Sequence, residues 1–157
     1  MKLLVYVDGA ALGNPGPAGI GVVITTEAGE PLVQCGEPIG STTNNVAEYR
    51  ALLRALELLH AWGQPLEAVT IRSDSQLLVR QLSGEYAVRL PHLQQLHAAA
   101  HAALEQLRAR IRIEYVEREQ NRVADRLAKL GARLSALAAA KRLPDDSSSS
   151  LGIDTTG

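Results

Sequence analysis

The amino-acid sequence predicts an α/β fold, a mixed sheet flanked by helices, and three observations carry that expectation. Three strand-like segments open the chain with only short turn signals between them, which implies an antiparallel meander. Beyond them, helix-period segments alternate with two further strand-like runs, the pattern of a strand–helix–strand unit added to the same sheet. An apolar fraction of 46% over 157 residues is enough for one domain with a buried core.

The elements follow in order. Residues 3–8 read as a strand, with Leu4, Tyr6 and Asp8 on one face and Val5 and Val7 on the other. Residues 18–26 form a second strand, EAGE a turn, and residues 31–40 a third strand. Thr42, Thr43 or Asn44 can cap the helix that follows, whose apolar positions Ala47, Leu52, Leu56 and Leu59 recur at helical spacing. Gly63 and Pro65 stop it. VTIRS is a short strand and SQLLVRQLSG a short helix ended by Gly84. Pro91 opens another helix, with Leu93, Leu96, Ala100, Ala103 and Leu107 as its buried stripe. RIRIEYVE alternates as a fifth strand with Ile111, Ile113 and Tyr115 on one face. The last helix spans about Asn121 to Lys141, and the serine-rich stretch from residue 144 to 157 reads as a disordered tail beyond a domain of residues 1–143.

Composition narrows the function classes. No stretch approaches the ~20 apolar residues of a membrane span. The N-terminal LLVYV run is interrupted by Asp8 and is too short for a signal-peptide core. One cysteine, Cys35, excludes an internal disulfide, fits a reducing cytoplasm and reads as a small buried hydrophobe. The net charge of −1 conceals an uneven distribution. Without the acidic tail, sixteen basic face fourteen acidic residues, a net of +2. Residues 108–133 hold eight bases against four acids, so a locally basic surface is available to a nucleic acid.

Four acids stand on separate segments. Asp8 closes the first strand before a glycine-rich turn, and Glu48 follows TTNN at the start of a helix. Asp74 closes the fourth strand, and Asp125 lies one turn into the last helix. Each alone is an ordinary turn former, dipole partner or ion-pair member. Gathered together, carboxylates repel unless something positive sits between them. Oxygen-only ligands suit hard ions such as Mg²⁺ or Mn²⁺, and a pair of these suits phosphodiester hydrolysis. If the first and fourth strands are parallel neighbours, Asp8 and Asp74 arrive at one sheet edge.

The segments DGAALGNPGPAGIG, TTNNVAEYRAL, SDSQ and NRVADRLA resemble, in this order, the motifs of the type 1 ribonuclease H family, over residues about 1–135. The resemblance implies the ribonuclease H-like fold, a five-stranded mixed sheet in the order 3-2-1-4-5. It implies an endoribonuclease that uses two Mg²⁺ ions, with Mn²⁺ as a substitute, to cleave the RNA strand of RNA/DNA hybrids to 5′-phosphate and 3′-hydroxyl ends. It assigns Asp8, Glu48, Asp74 and Asp125 as metal-binding catalytic carboxylates. It further assigns Asn14, Asn44, Asn45 and Gln76 to contacts with the hybrid, and Thr43 to a DNA-phosphate pocket. Amides both donate and accept, as a 2′-hydroxyl does. Helix capping and turn formation are the alternative roles of Asn14, Thr43, Asn44 and Asn45.

The chain departs from that family twice. GEYAVRLPHL runs straight into the next helix, without the basic protrusion with which many members grip the hybrid. EYVEREQNRVAD holds no histidine before the last helix, which leaves Arg118 and Glu119 as the nearest substitutes. Weaker, more salt-sensitive binding or a partner that supplies the grip is the consequence expected. His97 and His101 are four apart on one helix face, but no third ligand accompanies them in sequence, so a zinc site is not expected there. Trp62 anchors the end of its helix, and an aromatic content of 3% argues against a base-stacking platform. Two other readings remain: a non-cleaving module that binds hybrid or double-stranded RNA, and the same fold cleaving double-stranded RNA. A cytoplasmic monomer is expected.

Overall fold

A computed structural model describes residues 1–149. The element order is β1 (Lys2–Ala11), β2 (Gly16–Thr26), β3 (Pro31–Thr42), α1 (Asn44–His60), β4 (Ala68–Ser73), α2 (Gln76–Leu82), α3 (Pro91–Gln106), β5 (Arg110–Tyr115), a 3₁₀ turn (Arg118–Asn121) and α4 (Arg122–Ser149). The five strands form one sheet in the order β3-β2-β1-β4-β5. β1, β2 and β3 pair antiparallel, and β4 and β5 are added in parallel to β1. This is the sheet that the sequence motifs imply.

The parallel register decides where the chemistry sits. Val7 of β1 stands opposite Ser73 of β4, the last pair of that ladder. The next residue on each strand is an aspartate, so Asp8 and Asp74 emerge at the same edge. β1 itself runs three residues past Asp8, to Ala11, because β2 continues to pair with it there. Asp8 is therefore inside a strand on its antiparallel side and beyond the end of pairing on its parallel side.

The two faces of the sheet are covered differently. α1 lays Tyr49, Leu52, Leu56 and Leu59 over β1 and β2, against Val5, Val7, Ile20 and Val22. Burial of such side chains stabilises by about 1.5–3 kcal/mol each, which makes this face the main core. α4 covers the other face through small residues, with Ala124, Ala128 and Ala132 buried. A Cβ on Gly21 would collide with the Ala124 carbonyl oxygen, and one on Gly36 with the Leu127 carbonyl. Glycine is needed there because helix and sheet backbones nearly touch. Ser135 ties the same helix down, donating to the Ala18 carbonyl at 2.6 Å and accepting from the Gly40 N–H at 3.1 Å.

Several local expectations shift. Of the α3 stripe, Leu93 and Ala100 are fully buried, and Leu96, Ala103 and Leu107 pack half-buried at the periphery. Tyr115 is exposed although Ile111 and Ile113 pack inward, because the strand ends there at the open edge of the sheet. Cys35 is half-buried on the edge strand β3. Trp62 does anchor the end of α1, its indole N–H reaching the Met1 sulfur at 3.3 Å. The connection from α2 to α3, residues 83–90, carries no additional helix. α4 continues past Lys141 to Ser149, so residues 144–149 of the expected disordered tail are helical. These residues extend a helix that is already nucleated, although Pro144 itself has no N–H to add to the ladder. Residues 150–157, the rest of that tail, lie outside the described residues. Among the described residues no helix is long and apolar enough to cross a membrane.

Candidate active site

Asp8, Glu48 and Asp74 bring carboxylate oxygens within 4.8 Å of one another. Each is placed by a separate device. Asp8 is set by β1, and Asp74 follows β4 at the turn into α2, where the Ser73 hydroxyl accepts the Ser75 N–H at 3.0 Å. Glu48 lies in the second turn of α1, whose first turn is closed by Thr43 Oγ1 accepting from the Val46 N–H at 3.2 Å. Gly9 lets α1 approach β1, since a Cβ there would collide with the main chain of Ala47 and Glu48. The Gly9 N–H in turn donates to Glu48 Oε1 at 2.8 Å, which fixes that carboxylate over the strand.

Asp125 completes the wall of the same cleft, a space of about 370 Å³, from the first turn of α4. It falls outside the tight group of three. Its Oδ2 pairs with Lys129 Nζ one turn on, at 3.1 Å. The four predicted acids thus line one cleft, with three close enough to share a ligand and the fourth held by an ion pair.

The electrostatics match the geometry. Asp8 is 5% exposed, and its carboxyl is pushed up to about 10, first by burial and then by Glu48, Asp74 and Asp125. Glu48 is pushed up to about 8 by burial and by Asp74, against the opposing hydrogen bond from Gly9. Carboxyl groups so placed hold protons in the absence of another cation. The donors are all hard oxygens, and the charge they would share is unbalanced, so the group fits a hard divalent cation.

The remaining predicted residues fall on or near this rim. Asn14 Oδ1 accepts the Asn44 N–H at 3.0 Å, and Asn44 Oδ1 accepts the Ala11 N–H at 2.8 Å. The pair locks the β1–β2 turn to the start of α1, and both carboxamide NH₂ groups remain as donors on exposed residues. Thr43 is the N-cap, so the capping role is real for it. Asn45 is exposed in the first turn of α1, and Gln76 is exposed as the first residue of α2, two residues after Asp74. Arg118 reaches the cleft, with Nε 3.9 Å from Asp74 Oδ2 and a largely exposed side chain. Glu119 does not line it; it borders a different groove that includes Tyr6 and Gln34, because the 3₁₀ turn points adjacent residues in different directions.

Two positions of the site were not singled out from sequence, Gly9 and Asn121, and the sequence offers Lys129 only as an ion-pair partner of Asp125. Asn121 is 1% exposed, and its Nδ2 donates to the Val7 carbonyl at 2.9 Å and to Asp74 Oδ1 at 3.4 Å. It therefore ties the start of α4 to the β1 and β4 ends that carry the aspartates. The asparagine of NRVAD was its only signal. Lys129 is marked by its i,i+4 spacing from Asp125.

Comparisons with known proteins agree with this arrangement. The family model described as reverse transcriptase-like matches residues 6–131. The bifunctional protein Rv2228c of Mycobacterium tuberculosis is 43% identical over 129 residues, which is 82% of this chain and 35% of that protein. The chain thus spans about a third of the length of that relative. The crystal structure of RNase H1 from the halophilic archaeon Halobacterium salinarum superposes with a TM-score of 0.78 at 37% identity, covering 83% of this chain and 97% of that one. LC11-RNase H1, solved in complex with an RNA/DNA hybrid, superposes with a TM-score of 0.79 at 45% identity, covering 86% of this chain and 99% of that one. Fold, cleft and motifs together define a reverse transcriptase-like domain with an acidic cleft. Within that class, the chain belongs to the type 1 ribonuclease H family.

Proposed function

We propose that this domain is a metal-dependent endoribonuclease that hydrolyses the RNA strand of RNA/DNA hybrids and leaves 5′-phosphate and 3′-hydroxyl ends. The observation that carries the reading is the convergence of Asp8, Glu48 and Asp74 within 4.8 Å at the rim where the hybrid-contact motifs also lie. A pure nucleic-acid-binding module gains nothing from clustered negative charge beside phosphates. The hybrid-bound relative supports the choice of substrate.

Asp8, Glu48 and Asp74 would hold the divalent ions, with Asp125 of the same cleft as the fourth carboxylate. Two bound Mg²⁺ or Mn²⁺ ions supply Lewis-acid activation of a water and neutralise charge on the leaving oxygen. The chain's own residues then do the positioning. The carboxamides of Asn14, Asn44, Asn45 and Gln76 donate to 2′-hydroxyls and groove edges of the RNA strand. Thr43, at the start of α1, accommodates a phosphate of the DNA strand, aided by the helix N-terminus. Arg118 holds the RNA phosphate beside Asp74; a guanidinium stays charged and therefore clamps without shuttling a proton. With no protrusion between α2 and α3, affinity rests on these contacts and falls steeply with salt. The reading takes residues 1–143 as the catalytic unit, acting as a monomer in a reducing cytoplasm.

The test is a cleavage assay on labelled hybrid, duplex RNA and single-stranded RNA, with and without Mg²⁺. Mg²⁺-dependent cutting of the hybrid alone is expected, and Asp8→Asn abolishes it while hybrid binding survives. Equal cutting of duplex RNA would replace the substrate assignment, and full activity of Asp8→Asn would remove the mechanism.

A further inference from the structure

We infer that His97, His101 and the Gln81 main-chain carbonyl form a second metal site, one for a borderline transition ion such as Zn²⁺, separate from the carboxylate cleft. The two imidazoles lie on successive turns of α3 and turn their Nε2 atoms toward each other at 3.2 Å. The Gln81 carbonyl oxygen, near the end of α2, lies 3.0 Å from His97 Nε2. The third donor that the sequence lacks is thus a main-chain oxygen brought in by the fold.

Proton counting shows why a cation suits these atoms. If His97 Nε2 carries a proton, it serves the carbonyl and the His101 Nε2 lone pair can only share it. If His101 Nε2 carries the proton instead, it serves His97, and the Gln81 carbonyl, already served by the Gly84 N–H, keeps a lone pair beside His97. A metal ion accepts these lone pairs together, because each ring keeps its proton on Nδ1 and presents its Nε2 lone pair. With metal–nitrogen bonds of ~2.0–2.1 Å, tetrahedral ligands stand about 3.3 Å apart. The Nε2 separation is already close to this, so small ring rotations suffice.

The surroundings favour a cation as well. Gln81 is the penultimate residue of α2, at the carbonyl end of the helix, where positive charge is favoured. Its carbonyl lies at the helix end, where the Gly84 N–H at 3.2 Å and the Ser83 N–H approach it from the chain side and His97 Nε2 from α3. The Gln81 side chain is itself anchored, with Oε1 accepting from Tyr49 Oη–H at 2.6 Å, and Tyr49 packs edge-on against His97 at 6.4 Å. The ligand frame is therefore held before any ion arrives. Both histidines are half-buried, so an ion can enter and water can fill the remaining coordination positions. The site lies at the far end of α2 from Asp74, about 10 Å along the helix. Imidazole selects zinc over magnesium, as the carboxylate cleft does the reverse.

Calorimetric titration with Zn²⁺ in excess Mg²⁺, which saturates the carboxylates and competes poorly for imidazole, tests the assignment. Wild-type protein and His92→Ala should each bind one zinc per chain with the same affinity, and His101→Ala should bind at least tenfold more weakly. Coincident isotherms for His101→Ala and wild type would overturn it. Because His101→Ala also removes a half-buried side chain from α3, ¹⁵N NMR of the wild-type imidazoles provides the second measurement. Zinc should shift the Nε2 signals of His97 and His101 and leave those of His60 and His92 unmoved; shifts at neither His97 nor His101 would overturn the site. Neither readout involves cleavage, so failure here leaves the nuclease reading intact.

Discussion

Neutralising Asp8 should stabilise the metal-free protein while abolishing catalysis. Asp8 is 5% exposed and is pushed up to about 10 by burial and by three neighbouring acids, from an ordinary 3.8. The folded state therefore binds this proton more tightly than the unfolded chain does. The stability it contributes is complete below the ordinary value and is lost as pH rises through the window between 3.8 and about 10. Each pH unit in that window is worth at most about 1.4 kcal/mol for one proton. Between pH 5 and 8 the ceiling is about 4 kcal/mol, and relaxation and water entry bring the expectation to about 2–4 kcal/mol. Asp8→Asn keeps the shape and removes the titration. In EDTA at pH 8 it should melt about 6–12 °C above wild type, at ~3 °C per kcal/mol for a domain of this size. The two should converge toward pH 5. Mg²⁺ at ten times its dissociation constant should raise wild-type stability by about 1.4 kcal/mol and leave Asp8→Asn nearly unchanged. The assay is thermal unfolding followed by circular dichroism across pH, with and without Mg²⁺. Equal melting temperatures at pH 8, or parallel pH dependences, would refute the claim that Asp8 is forced to hold a proton.

Other substitutions test the remaining contacts. Gly21→Ala places a methyl against the Ala124 carbonyl and should destabilise by about 1–3 kcal/mol, read from urea unfolding with an unchanged m-value. Asn121→Ala leaves the buried Val7 carbonyl without its donor and should destabilise by about 1–3 kcal/mol; kcat should fall because the two aspartate-bearing strand ends lose their tie to α4. Arg118→Ala should raise KM for hybrid and flatten the salt dependence of binding by roughly one phosphate contact, with wild-type thermal stability, since the side chain is exposed.

Much of this protein is legible in local sequence. The four acids stand in short signatures whose chemistry depends on residue type and on neighbours a few positions away. β1, β4 and α1 follow from alternation, helical spacing and the TTNN cap. These are short-range properties, and the structure keeps them: Thr43 caps α1, Pro91 opens α3, and the strands pair in the order the motifs imply. The serine-rich segment was less legible, since a helix already under way carries the chain to Ser149.

Separation in sequence is what hid the rest. Only the parallel pairing of β1 with β4 sets Asp8 beside Asp74, and only the close approach permitted at Gly9 lowers Glu48 onto them. Tertiary packing alone decided that Arg118 enters the cleft while Glu119 turns away, and that Asp125 of α4 lines the cleft built by the other three acids. It also brought a main-chain carbonyl from α2 to the histidines of α3, a ligand that has no residue-type signature at all. Chain chemistry chose which groups could act; backbone proximity, which depends on long-range registers and on the absence of a single Cβ, chose which of them meet.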